Sequence, residues 1–147
     1  PVGSDLRLLC TVLKVNNDLE RIADCAVNVA ERARHVDART LAGPYEDLRQ
    51  MGPIVEHMLH NAVKAYGSQI VDDAQRVLLE EDAVDALYGQ IIRRLVAEAS
   101  ASPAKIASFL DVLSVAKNLE RIADHATNIA EDVVFVCTGE IVRHRMH

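Results

Sequence analysis

Two segments of the chain carry acidic residues at a spacing that could place them around a metal ion. Glu20 and Asp24 lie in the first segment, and Glu120 and Asp124 lie in the second, so that each segment contains Glu-x-x-x-Asp. Side chains four positions apart share one face of an α-helix, where like charges repel by roughly a few tenths of a kcal/mol. A hard cation, which prefers carboxylate oxygens as ligands, is the simplest explanation for such an unfavourable pattern.

The two acidic pairs belong to an internal repeat. Residues 15–31 and 115–131 match at eleven of seventeen positions, with a constant offset of one hundred residues. Both copies contain Leu-Glu-Arg-Ile-Ala-Asp, so the match extends to polar positions. His125 replaces Cys25 between the copies, and its imidazole could supply a nitrogen ligand or a hydrogen bond. The repeat therefore indicates two helices of related design.

A third acidic pair, Glu81 and Asp85, borders the apolar stripe of another predicted helix. If that helix packs against the helix that carries Glu120 and Asp124, four carboxylates approach one site. The alternative interpretation is that these acids form solvated helix faces with no ligand. The sequence pattern leaves both interpretations open.

Apolar residues recur at steps of three and four along most of the chain, which predicts an all-α fold. Gly, Pro and Ser interrupt this pattern at a few places and divide it into four long segments. Asp5 and Ser102 are candidate N-terminal caps, and the short connections favour an antiparallel helical bundle. The predicted helices span residues 5–39, 45–70, 73–99 and 104–137.

The composition restricts the classes of function. The chain has a formal charge of −6, and its sixteen Lys and Arg residues are interspersed with acids, which argues against a nucleic-acid partner. The longest apolar run, residues 133–137, is far shorter than the roughly 20 residues that span a membrane. Three widely spaced cysteines match no disulfide framework. We therefore expect a soluble cytoplasmic protein without membrane insertion, and because Pro1 stands first, a piece of a longer one.

The second copy of the repeat resembles a known family. Residues 119–131, followed by Thr-Gly-Glu-Ile-Val-Arg-His at 138–144, resemble the last helix and tail of the PhoU family. The first copy is similar to the third helix of that family's first repeat. Because PhoU proteins are two tandem three-helix bundles, the resemblance implies three parts. These are the last helix of a first repeat at 1–41, a complete second repeat at 45–138 and a tail at 139–147.

The resemblance also implies metal binding, because the Glu/Asp-x-x-x-Asp motifs of this family hold metal clusters on the bundle surface. Iron, manganese, magnesium and zinc are the candidate ions. Two departures from the family pattern are Cys25, where His is more frequent, and the Ala23/Ala123 pair, where Gly is common. The implied metal ligands are Glu20, Asp24, Glu81, Asp85, Glu120 and Asp124.

The function implied by the resemblance is that of a non-catalytic regulator of phosphate uptake and phosphate-starvation signalling. Such a regulator couples a phosphate ABC transporter to a sensor histidine kinase, and we expect it to form a homo-oligomer. A di-metal carboxylate enzyme is one alternative, although such sites use Glu-x-x-His, which this sequence lacks. A metal-free helical adaptor, or a PhoU-like regulatory domain of another transporter, is the other alternative.

Overall fold

A computed structural model describes residues 2–139, and within them the backbone forms four α-helices and no β-strand. The helices are α1 (Val2–Ala33), α2 (Ala42–Ser68), α3 (Val71–Ala101) and α4 (Ile106–Thr138), with a 3₁₀ turn (Pro103–Lys105) before α4. The predicted all-α fold of four long helices is confirmed. Of the predicted C-terminal tail, residues 140–147 lie outside the described residues.

The first helix ends earlier than its apolar pattern predicts, at Ala33 and not at residue 39. Residues 34–41 form turns instead. Asp37 stabilises them, because its carboxylate accepts hydrogen bonds from the Arg39 amide at 2.9 Å and the Thr40 hydroxyl at 2.8 Å. Side-chain bonds of this kind to the next residues compete with helical hydrogen bonding.

Of the two predicted N-terminal caps, Ser102 holds an N-cap position and Asp5 does not. Asp5 lies in the first turn of α1, where the helix dipole favours an acidic side chain. Ser102 precedes the 3₁₀ turn, but its side chain makes no capping hydrogen bond. Pro103 opens that turn, where its fixed φ suits a first helical position, and α4 begins at Ile106.

Helix α4 lies at the centre of the fold, in contact with each of the other three helices. Helices α2 and α3 also contact each other, whereas α1 contacts only α4 among the described helices. Small side chains on α4 permit close approach of its neighbours. The buried alanines of α4 are Ala116, Ala123, Ala126 and Ala130.

Polar contacts set the register between α1 and α4, which run antiparallel. Asn28 donates a hydrogen bond to Asn118 Oδ1 at 3.2 Å, and Asn128 donates one to Asp18 Oδ1 at 3.4 Å. These two bonds occupy equivalent positions of the repeat. Position 28 of the first copy aligns with position 128 of the second, and position 18 aligns with position 118. The two copies of the repeat therefore pack against each other about a local twofold relation.

The side of α1 that faces away from α4 exposes large apolar side chains. Leu6, Leu9 and Leu13 are 59%, 63% and 71% exposed. Apolar surface of this extent indicates an interaction face. Between residues 2 and 139, no helix combines the length and the apolar character that crossing a membrane requires.

Replacing Ile129 with Ala tests the central position of α4. Ile129 is fully buried, so the lost contacts and the resulting cavity should lower the free energy of unfolding by about 2–5 kcal/mol. The control is Leu79→Ala, which removes a side chain that is 79% exposed and should change stability by about 0.5 kcal/mol or less. Urea unfolding measures both, and equal effects would contradict this packing.

Candidate metal centre

The two predicted acidic pairs of α3 and α4 come together where these helices pack. Glu81 is buried, Glu120 and Asp124 are half-buried, and Asp85 is exposed. Glu81, Asp85 and Glu120 all act electrostatically on Asp124. Four carboxylates from two helices therefore share one neighbourhood, as the sequence predicted for a packed pair of helices.

The environment of Asp124 favours its protonated form. Burial is the largest cause, followed by a hydrogen bond with Glu120 and by repulsion from Glu120, Glu81 and Asp85. Together they raise the pKa of Asp124 to about 7. A hydrogen bond between two carboxyl groups needs a proton on one of them. The crowding of carboxylates therefore favours a proton on Asp124 up to near neutral pH.

A basic side chain, Lys117, borders this cluster. The Lys117 ammonium donates a hydrogen bond to Glu120 Oε2 at 3.2 Å. The same ammonium lies 5.5 Å from the centre of the Tyr88 ring on α3, within the range of a cation–π interaction. Lys117 thus contacts both helices that supply the carboxylates.

The donor set suits a hard divalent or trivalent ion, because it consists of carboxylate oxygens on two facing helices. Within residues 2–139, however, no group of three or more His, Cys, Asp or Glu side chains could hold a metal ion as it stands. Binding by these four residues therefore requires rotation of their side chains toward one another. Such rotations are fast for partly exposed side chains.

The acidic pair of the first repeat has a different environment. Glu20 and Asp24 are both exposed, and α1 contacts no helix other than α4 in the described part of the chain. At 100° per residue, both lie on the side of α1 opposite its contact with α4. A metal site at this pair stays a prediction, and it needs ligands from a further helix.

His125 faces α1 and not the four carboxylates. Its Nδ1 lies 2.8 Å from Asp18 Oδ1, so that the imidazole makes a polar contact between helices. Asp18 is 6% exposed and also accepts the bond from Asn128. Of the two roles that the sequence left open for His125, the structure displays the hydrogen bond.

Sequence reasoning missed Asp18 as a buried polar residue. The signal was its position, because Thr11, Val15, Asp18 and Ile22 follow the three- and four-residue spacing of the buried face of α1. A cleft of about 260 Å³ adjoins Asp18 and is lined by polar side chains. Its lining residues are Lys14, Asn17, Asp18, Asn128, Glu131 and Asp132.

Two further polar residues, Asp47 and His57, connect α2 to α3. Asp47 is 2% exposed and accepts a hydrogen bond from Gln90 at 3.1 Å. Arg94 Nη1 lies 3.1 Å from the other Asp47 oxygen and forms an ion pair with it, but the geometry is not that of a hydrogen bond. His57 Nδ1 lies 2.9 Å from Glu80 Oε2. These contacts position α3, which carries half of the carboxylate cluster.

Comparison with known proteins identifies the family. The family model described as "PhoU domain" matches residues 1–33 and 48–133. The chain belongs to the PhoU family. The PhoU structure from Pseudomonas aeruginosa superposes with a TM-score of 0.87 at 35% identity, over 95% of this chain and 68% of that one. A phosphate transport system regulatory protein PhoU from Streptococcus pneumoniae gives 0.85 at 27% identity, over 95% and 66%.

PhoU relatives are also found among curated proteins. A phosphate-specific transport system accessory protein PhoU homolog from Zymomonas mobilis is 36% identical over 99% of this chain and 61% of its own length. The protein of the same name from Caulobacter vibrioides is 37% identical over 95% of this chain and 61% of its own. The chain therefore spans about three fifths of the length of these PhoU proteins.

The raised pKa of Asp124 predicts a dependence of stability on pH in metal-free protein. Its pKa is about 7 in the fold, against an ordinary value of 3.8, so the folded state binds more protons between these values. The free energy of unfolding should therefore fall as the pH rises from about 4 to about 7. In Asp124→Asn, the free energy of unfolding should fall less over this pH range, by on the order of 2 kcal/mol after allowance for solvent screening.

Urea unfolding with EDTA at a series of pH values measures the effect. Asp132→Asn is the matched control, because burial raises the pKa of Asp132 to about 6 in the separate α1–α4 cleft. That variant should keep the fall in stability between about pH 6 and about pH 7 that Asp124 causes. Parallel profiles for Asp124→Asn and the unmodified chain would contradict the proposed environment of Asp124.

Proposed function

We propose that this chain is the metal-binding part of a non-catalytic regulator of phosphate uptake and phosphate-starvation signalling. Family membership supports the link to phosphate transport, because the curated relatives are named as accessory proteins of the phosphate-specific transport system. The convergence of three carboxylates on Asp124 supports metal binding.

Glu81, Asp85, Glu120 and Asp124 would hold the ion. A bound cation supplies positive charge that takes the place of the proton on Asp124 and removes the repulsion within the cluster. Because the ligands come from α3 and α4, it also links these two helices. Iron, manganese, magnesium and zinc all accept such oxygen ligands.

Regulation without turnover fits a surface that presents helices to protein partners. By family, the partners are a phosphate ABC transporter and a sensor histidine kinase, and the site of action is the cytoplasm. The exposed leucines of α1 provide apolar surface for contact with a further part of the protein or another subunit. The expected homo-oligomer remains a prediction that light scattering measures directly.

Elemental analysis after loading with iron, manganese or zinc tests the metal site. The unmodified chain should hold stoichiometric metal, whereas Asp85→Asn/Asp124→Asn should lose it because two of its four ligands no longer carry charge. The internal repeat offers a matched control in Glu20→Gln/Asp24→Asn, which neutralises the exposed pair on α1 and should keep the metal in this chain.

Thermal unfolding discriminates this proposal from a metal-free helical adaptor. The absence of a closed ligand group between residues 2 and 139 favours that alternative. A metal that binds only the folded state stabilises it by about 2.7 kcal/mol at one hundred times its Kd. A melting temperature that is unchanged by all four metals, together with no metal content, would establish the adaptor.

A phosphate-responsive reporter in a bacterium that lacks its own PhoU tests the regulatory part. Full-length protein containing this chain should restore repression of the reporter in high phosphate and should co-purify with the phosphate transporter. The Asp85→Asn/Asp124→Asn variant should lose repression if metal is needed. Normal repression by that variant would separate regulation from the metal site.

A further inference from the structure

Lys117 lies beside the carboxylate cluster, and the function proposed above does not use its contacts. Its ammonium bonds Glu120 Oε2 at 3.2 Å and lies over the Tyr88 ring at 5.5 Å. The Lys117 side chain is 43% exposed, and that of Glu120 only 15%. The lysine therefore reaches from solvent to one of the inner carboxylates.

A protonated lysine cannot act as a metal ligand, because an ammonium group has three donors and no acceptor. It instead bonds one of the two oxygens of Glu120, at a distance where a second cation on that carboxylate would be repelled. The four carboxylates form no closed ligand group in their present positions. An ion held by Glu120 and the other carboxylates would therefore bind against the charge of Lys117.

Comparison of the two copies of the repeat shows that the lysine is not part of the repeated motif. The first copy has Asn17 where the second has Lys117, although Glu20 and Asp24 match Glu120 and Asp124. Lys117 thus occurs in the copy whose carboxylates meet a second acidic pair. Its counterpart is absent where the acids are exposed.

We infer that Lys117 is a built-in counter-cation that competes with the metal ion for Glu120 and thereby lowers the affinity of the site for metal. Tyr88 provides the second half of this arrangement. The Tyr88 ring offers the ammonium a favourable position that does not depend on Glu120. This inference rests on the metal site proposed above, and it assigns Lys117 a role in setting affinity.

Calorimetric titration with Mn²⁺ tests the inference on metal-free protein. Lys117→Met keeps the apolar stem and removes the charge, so Mn²⁺ should bind on the order of tenfold more tightly. This gain should shrink as NaCl rises from about 50 to about 500 mM, because salt screens the lost repulsion. Lys117→Arg keeps the charge and should bind no more tightly than the unmodified chain.

Two further measurements exclude a merely structural effect. Lys105→Met, which makes the same substitution in the 3₁₀ turn before α4, should leave the affinity unchanged. In thermal unfolding without metal, Lys117→Met should melt below the unmodified chain, because the cluster loses its counter-charge. With saturating Mn²⁺ it should melt at least as high, whereas a structural defect would persist.

The outcomes separate the inference from the proposal on which it rests. Binding by the unmodified chain with equal or weaker binding by Lys117→Met overturns the role of Lys117 alone. No binding by any variant overturns both the metal site and the inference. Binding that appears only in Lys117→Met supports the role of Lys117 and contradicts metal binding by the unmodified chain.

Discussion

The packing of α4 against the other three helices is the contact on which the rest of the structure depends. A helix with neighbours on several sides must be apolar over most of its circumference, and the buried residues of α4 meet this requirement with small side chains. Most polar side chains of α4 then lie in narrow sectors of its surface, along the edges of its contacts with the neighbouring helices. The sector toward α3 holds Glu120 and Asp124, and the sector toward α1 holds His125 and Asn128.

Restriction to these sectors explains why α4 carries two kinds of polar site with opposite chemistry. Toward α1, the carboxylate of Asp18 meets hydrogen-bond donors, so that the buried charge is compensated within the protein. Toward α3, carboxylates meet other carboxylates, and burial makes their repulsion costly. The first arrangement holds two helices in register. The second holds unfavourable charge that a cation can relieve, which is the property expected of a binding site.

The internal repeat places nearly the same sequence in two environments. In α4 the copy is central, and Ala123 is 1% exposed, whereas in α1 the corresponding Ala23 is exposed. Glu120 and Asp124 differ from Glu20 and Asp24 in the same way. Residue type therefore does not decide whether a Glu-x-x-x-Asp pair can form a site. The number of helices packed around the pair decides it, because only a second acidic helix adds ligands and excludes water.

The sequence by itself determined the four long helices, since apolar spacing at steps of three and four is a local property of the chain. It also identified the three acidic pairs and, through the repeated motif, the family. Tertiary structure alone decided that α1 packs on α4 alone among the described helices, that Asp18 faces His125, and that the Lys117 ammonium reaches Tyr88. These contacts join residues of different helices or depend on which side of a helix is covered. No local pattern specifies them, because the same amphipathic helix can be covered by different neighbours.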